Sequence, residues 1–342
     1  MRVRDSTLYT MPLGVRRAAI AILVTSAVAL LATALAYAGN GGLAPPDPKS
    51  PNTQRINDAY WLIMAFTGVI FFLVEGALIA FVIKYRRRRR PRTAEGPQIH
   101  GSGKLEVLWT VVPVVILAVI GSFVFYKLPG IRNIPEARAA GDTEVEIEGH
   151  QFYWLFRYPN GAIAIDDMRA PAGAVVRERI TAPEDGVIHS WWIPQLSPKF
   201  DAIPGTVNTT WFKAPAGRYE YRCGELCGVQ HAFMNGYVQV LPQPEFESWV
   251  KRRKQESDGV ALGKEEWTGV CAKCHRLDEE FIGPPLGGNP LLASKRGLEP
   301  ILRNGQGNMP AVGNTWTDDQ ITALVRYTRR FAREGSQGGD QG

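Results

Sequence analysis

Three long apolar runs crowd the first third of the chain, at residues 18–36, 60–83 and 107–125, and polar sequence with short alternations fills the rest. Roughly 20 apolar residues are needed to cross a bilayer as a helix, and the second and third runs reach that length. The first run follows Arg16-Arg17 and ends in Ala36-Tyr37-Ala38. A charged start, an apolar middle and a small-residue end predict a secretory signal peptide, although the run is also long enough for an uncleaved membrane anchor. Both readings put Gly39 outside the cytoplasm. Residues 40–56 are rich in Pro, Gly and Asn and read as an irregular lead-in. Pro113 within the third run is tolerable in a membrane helix, and Pro129-Gly130 predicts that run's end.

Charge sharpens this into a topology. The net charge is +6, but residues 84–104 carry +7 and residues 1–17 carry +3, so the remainder is net −4. The basic block, Arg86 to Arg90 with its flanks, lies between the second and third runs. Lys and Arg stay in the cytoplasm, so the two runs form a hairpin with residues 130–342 outside. A basic surface for nucleic acid is not indicated. Glu75 lies inside the second run, where an acid is a functional candidate or a protonated carboxyl packed on another subunit. Glu106, at the start of the third run, suits the positive end of a helix.

From residue 142 the pattern changes period. Val145, Ile147 and Gly149 alternate with Glu144, Glu146 and Glu148, and short runs follow at 151–157, 174–181, 206–213, 218–221 and 236–241 with Pro and Gly between them. Strands at this spacing predict an antiparallel sandwich or barrel. One loop carries the chemistry: Cys223-Gly-Glu225-Leu-Cys227-Gly-Val-Gln-His231-Ala-Phe-Met234, with His189 upstream. A blue-copper site takes one Cys, two His and a weak Met. Two thiolates, two His and a Met can ligate two coppers with both sulfurs bridging, and spacing does not decide which His shares a metal with Met234. A disulfide leaves His231 and Met234 unexplained, and a zinc site has no need of Met234.

These residues resemble a known family. Gly149-His-Gln-Phe-Tyr-Trp154, His189-Ser-Trp, Lys199-Phe-Asp-Ala-Ile-Pro-Gly205 and the Cys-x-Glu-x-Cys-x-x-x-His-x-x-Met loop are similar to subunit II of haem-copper oxidases over about residues 55–242. The resemblance implies a cupredoxin-like barrel and a dinuclear copper centre, CuA, ligated by Cys223, Cys227, His189, His231, Met234 and the carbonyl of Glu225. It implies a magnesium ion held through the Glu225 side chain at the border with subunit I, and a proton-channel mouth at Glu106. Two departures stand out. Phe152 occupies the place of a Trp that admits electrons from a separate cytochrome c, and Thr206 replaces a common Arg. Phe152, Tyr153 and Trp154 are the aromatic residues expected near the copper.

A further unit follows. Cys271-Ala-Lys-Cys274-His275 is the attachment signature of c-type haem, with His275 as axial ligand. Met309 is the one methionine between 259 and 333, and Met/His ligation is the cytochrome c arrangement. Ile321, Leu324, Val325 and Thr328 fall near helical spacing within 317–331. A thioredoxin-like redox pair would want a βαβ pattern around Cys271, and none is visible. This stretch resembles a class I cytochrome c. Of the remaining histidines, His100 reads as solvated and His150 as structural.

The expected organisation is multidomain: a signal peptide or first membrane segment at 1–38, a transmembrane helical hairpin at 39–130 (helices about 60–83 and 107–127), an all-β copper domain at 131–242, a linker at 243–258, an all-α haem domain at 259–333 and a tail at 334–342. The resemblance implies an electron-input subunit in a bacterial cell membrane. Electrons would pass from cytochrome c or another donor through haem c and CuA to subunit I, where dioxygen is reduced to water with proton translocation. Subunits I and III and membrane lipid are the implied partners. Fusion would hold the haem beside the copper domain at high effective concentration. The competing reading is the equivalent subunit of a nitric oxide reductase-type complex; a copper carrier would gain nothing from haem.

Overall fold

A computed structural model describes residues 44–85, 98, 101–136, 139 and 141–334. The expected leader, the arginine block, His100 and the residues from 335 onward lie outside the described residues. Helix α1 (Pro51–Tyr85) and helix α2 (Gly103–Arg132) form the hairpin, and both are long and apolar enough to cross a membrane. Lys127 near the end of α2 pairs with Asp58 near the start of α1 at 2.8 Å, so the helices run antiparallel.

Both helices exceed the length expected of them. The lead-in read as irregular becomes helical at Pro51 because the first turn has partners. Asn52, fully buried, donates to the Trp211 carbonyl at 2.5 Å, and the Thr53 hydroxyl donates to the Gln195 carbonyl at 3.0 Å. At the other end α2 continues through Pro129 to Arg132, where Arg55 donates to the Gly130 carbonyl at 3.1 Å.

The copper-loop domain is a sandwich of two five-stranded sheets. The strands are β1 (Thr143–His150), β2 (Tyr153–Arg157), β3 (Ile163–Ile165), β4 (Asp167–Pro171), β5 (Val176–Thr181), β6 (His189–Ile193), β7 (Ser197–Ala202), β8 (Asn208–Phe212), β9 (Gly217–Cys223) and β10 (Asn235–Leu241). One sheet has the order β3-β2-β1-β5-β8 and the other β4-β10-β9-β6-β7. The sheets are mixed rather than wholly antiparallel, since β1 pairs with β5 and β4 with β10 in parallel. Parallel neighbours need long connections, and both pairs are joined by distant parts of the chain. The two-residue alternation of β1 holds, with Val145 and Ile147 fully buried. Trp191 is the hub between the sheets, with Trp154 at 4.9 Å, Tyr221 at 4.6 Å and Phe156 at 5.5 Å between ring centroids.

The expected linker is helix α3 (Gln243–Gln255), whose Phe246 and Trp249 are buried in the sandwich core. Beyond it come α4 (Val260–Gly269), α5 (Lys295–Asn304), α6 (Asp318–Thr328) and the short α7 (Phe331–Glu334). Thr317 and Gln320 form a capping box at the start of α6, which satisfies two otherwise unpaired amides. Helix α4 crosses α6 at Gly263, where a Cβ would lie 2.0 Å from the Ala323 carbonyl oxygen; only glycine allows that approach.

A second core joins the helical domain to the sandwich. It contains Tyr153, Leu155, Ile163 and Ile165 from β2 and β3 together with Leu262, Trp267, Trp316 and Leu324. Strand β2 is therefore buried on both faces, with Trp154 and Phe156 turned into the sandwich and Tyr153 and Leu155 onto the helices. Side chains alternate along a strand, and this corrects the expectation for Tyr153: it faces away from the copper loop, bonded to the Val312 carbonyl at 2.5 Å.

Candidate metal and haem sites

Strand ends bring the five sequence-predicted copper residues together. His189 opens β6, Cys223 closes β9, and Met234 immediately precedes β10. The backbone N–H of Cys223 donates to the Met234 carbonyl at 3.0 Å and so closes the loop's neck. Between them the chain turns at Gly228 with φ of 133°, and His231 begins a 3-10 turn, His231–Phe233.

Donor atoms of His189, Cys223 and Cys227 all lie within 4.8 Å of one another. Cys227 Sγ is 3.6 Å from His231 Nδ1 and 3.8 Å from Met234 Sδ, and the Cys223 thiol lies 3.2 Å from the Glu225 carbonyl. Met234 and His189 are buried, and the His189 Nδ1 atom has no hydrogen-bond partner. A buried imidazole nitrogen without a partner is costly, and the His189 ring lies beside both cysteine sulfurs. That donor set fits copper, which soft thiolate and thioether ligands favour.

The two cysteine pairs differ electrostatically. In the copper loop, the hydrogen bond from Cys227 draws the Cys223 thiol down to about 3, and Cys227 is raised by the same contact. The contact favours the thiolate on Cys223, the form that binds metal. Cys271 is pushed up to about 12 by burial and by nearby Glu266, and burial raises Cys274. Burial thus favours the neutral thiol at both positions, unlike the copper loop.

Cys271, Cys274, His275 and Met309 line one cavity of about 300 Å³, together with Phe152 and Val229 from the sandwich. His275 Nδ1 donates to the Pro284 carbonyl at 2.8 Å, which leaves Nε2 as the ligating nitrogen, as oriented axial histidines require. A Cβ at Gly283 would lie 2.3 Å from His275 Cε1, so glycine makes room for the ring. The cavity and its residues fit a haem.

The remaining candidates lie at varied places. Trp154 sits 6.0 Å from the His189 ring. The Phe152 ring lies against Gly228, where a Cβ would be 2.9 Å from it. Glu225 has an exposed side chain, and Glu75, Glu106 and Thr206 are exposed too. His150 is buried, stacked on Tyr153 at 4.6 Å. Gln151, Gln230 and Lys273, which connect the two sites, sit at unassigned positions inside the quoted motifs, and spacing did not single them out because their partners lie in distant segments.

Comparison with known proteins agrees with both halves of this picture. Residues 38–126 match the family described as cytochrome c oxidase subunit II, transmembrane domain; residues 163–241 match its periplasmic domain; and residues 258–327 match cytochrome c oxidase, cbb3-type, subunit III. Subunit 2 of cytochrome c oxidase from Alkalihalophilus pseudofirmus is 34% identical, the match covering 85% of this chain and 91% of that protein. The Synechocystis sp. subunit 2 is 31% identical over 65% of this chain and 79% of its own. Among solved structures, the periplasmic domain of subunit II from Bradyrhizobium japonicum is 34% identical, with a TM-score of 0.33, covering 36% of this chain and 97% of that one. The fold and sites define an electron-input subunit of a membrane-bound oxidase that uses copper and haem. The chain belongs to the cytochrome c oxidase subunit 2 family, with a cytochrome c domain at its C-terminal end.

Proposed function

We propose that this chain receives electrons at a covalently bound haem c and delivers them through a dinuclear CuA centre to subunit I. His189, Cys223, Cys227, His231 and Met234, with the Glu225 carbonyl, would hold the copper pair. Cys271 and Cys274 would carry the haem, with His275 and Met309 as its axial ligands. When bound, these groups supply two one-electron stations between an external reductant and the oxygen-reducing, proton-translocating subunit. The protein's own residues do the rest. The Pro284 carbonyl orients His275, buried Met234 and Trp154 keep water from the sulfur cluster, and Phe152 fills the space between copper loop and haem cavity.

That position of Phe152 is the observation on which the reading rests. A donor reaches the copper through the haem domain, which covers the face where a docking Trp would stand. In this reading the basic block between α1 and α2 is cytoplasmic, the copper and haem domains stand outside a bacterial cell membrane, the Glu225 carboxylate meets magnesium at the subunit I border, and Glu106 marks the proton-channel mouth. The domain limits proposed are 39–130, 131–242 and 259–333. Stopped-flow reduction of the complex by soluble cytochrome c tests it. Copper reduction should slow strongly in Met309→Ala; equal rates in both proteins would show that the haem is not the entry point.

A further inference from the structure

The residues that hold the haem-attachment turn to the copper loop belong to neither ligand set. Lys273 lies between the two cysteines of the Cys271-to-His275 turn, and its side chain is only 14% exposed. Its Nζ donates to the Phe152 carbonyl at 2.7 Å and to Asp166 Oδ2 at 2.6 Å. Asp166 is itself fixed. Its Oδ1 accepts from the Trp154 amide at 2.8 Å, and its carbonyl accepts from the Tyr221 hydroxyl at 2.9 Å. It sits at φ of 53°, a left-handed conformation that Asp tolerates better than most side chains.

The contact is returned from the copper side. Gln230, 3% exposed and adjacent in sequence to His231, donates from Nε2 to the Lys273 carbonyl at 3.1 Å. Gln151, next to Phe152, donates to the Cys227 carbonyl at 3.0 Å. The links close a ring: copper loop to Gln151 and Phe152, on to Lys273, and back to the copper loop through Gln230. The Gln230 side chain and its one hydrogen bond join the residue before His231 to the carbonyl of the residue before Cys274.

We propose that Lys273 and Gln230 are the positioning pair for electron transfer between the two sites, locking the Cys271–His275 turn to the copper loop through the Phe152 and Lys273 carbonyls. This deepens the two-centre reading and rests on it. The step is one electron leaving the reduced haem side and one arriving at the oxidised copper side; no bond forms or breaks and no proton moves. Electronic coupling falls steeply with each gap across space, and the Gln230 side chain, bonded to the Lys273 carbonyl, bridges that gap with one hydrogen bond. Lys273 serves because its ammonium reaches a carboxylate and a carbonyl together; removing it strands the Asp166 charge in a largely buried place.

The test uses the assembled oxidase with Lys273→Met, Gln230→Met and Lys273→Arg. Haem spectrum and copper content are measured first, then the rate of electron redistribution after rapid photoreduction of the haem, and hydrogen exchange of the amides at 272–275. We expect both Met variants to keep both centres and to slow transfer, because each removes a link that holds the attachment turn to the copper loop. Exchange at 272–275 should quicken in Lys273→Met, and Lys273→Arg should recover most of the rate. Unchanged transfer in both Met variants, even with lowered thermal stability, would overturn the proposal. Wild-type protein lacking copper or haem would instead sink the two-centre reading itself.

Discussion

The Trp316 indole donates to the Tyr153 hydroxyl across 2.8 Å, joining a helix-domain residue to a sandwich residue in a dry contact. The same hydroxyl donates to the Val312 carbonyl, so one oxygen satisfies two groups of the haem domain. Tyr153→Phe leaves both without a partner. It should cost about 1–3 kcal/mol and lower the melting temperature by about 2–4 °C per kcal/mol. Thermal unfolding followed by haem-domain circular dichroism checks this, and a melting point equal to wild type would contradict the contact's importance.

Met309 lines the same cavity as His275. Met309→Ala should abolish low-spin Met/His ligation and lower the haem reduction potential, because axial Met raises it. A redox titration reads this directly. An unchanged potential would remove Met309 from the ligand set.

Cys227 touches both His231 and Met234. Its change to Ser should reduce copper content to background while leaving haem attachment intact. Elemental analysis of the purified protein decides it; retention of full copper would contradict the assignment.

Two carboxylates on paired strands should give stability of opposite pH dependence. Burial would raise Glu148, but hydrogen bonds from His150 and Arg157, with the Arg157 charge, hold it down at about 2. Its contribution is therefore present above about pH 4.5 and lost as pH falls toward 2. Glu148→Gln should destabilise at pH 7 and hardly at all at pH 2.

Burial lifts Glu178 to about 7 against the hydrogen bond from the Trp191 indole. The folded state prefers its protonated form, so a penalty grows as pH rises from about 4.5 to about 7 and then stays constant. Glu178→Gln keeps an acceptor for Trp191 and should stabilise the protein above pH 7 by about 3 kcal/mol, from the change between 4.5 and 7 at 1.36 kcal/mol per unit. Melting curves at pH 5 and pH 8 check it; equal gains at both would refute the assignment.

Much of the site was legible because its chemistry sits in short, dense motifs. The copper loop and the Cys271-to-His275 turn carry most of their candidate ligands at fixed local spacing, and His189 and Met309 were the distant members. The alternation of Val145 and Ile147 gave β1 its face directly. What the sequence hid depends on contacts across the chain. Asn52 is helical because Trp211 accepts from it, and the parallel pairing of β1 with β5 follows from the sandwich's crossovers. The segment at 243–258 looked like a charged linker because its apolar anchors, Phe246 and Trp249, are few among charged residues, one of which, Arg253, is itself buried. Tyr153 was misplaced because a run of aromatic residues conceals which face each one takes.

The anchoring of α3 has a bearing on how the haem domain meets its donor. Only four residues, 256 to 259, separate the end of α3 from the start of α4, and fully stretched they would reach about 14 Å. A domain on so short a leash cannot ferry charge across the membrane surface to a distant complex. On the proposed electron route the haem domain stays in place and the reductant does the travelling.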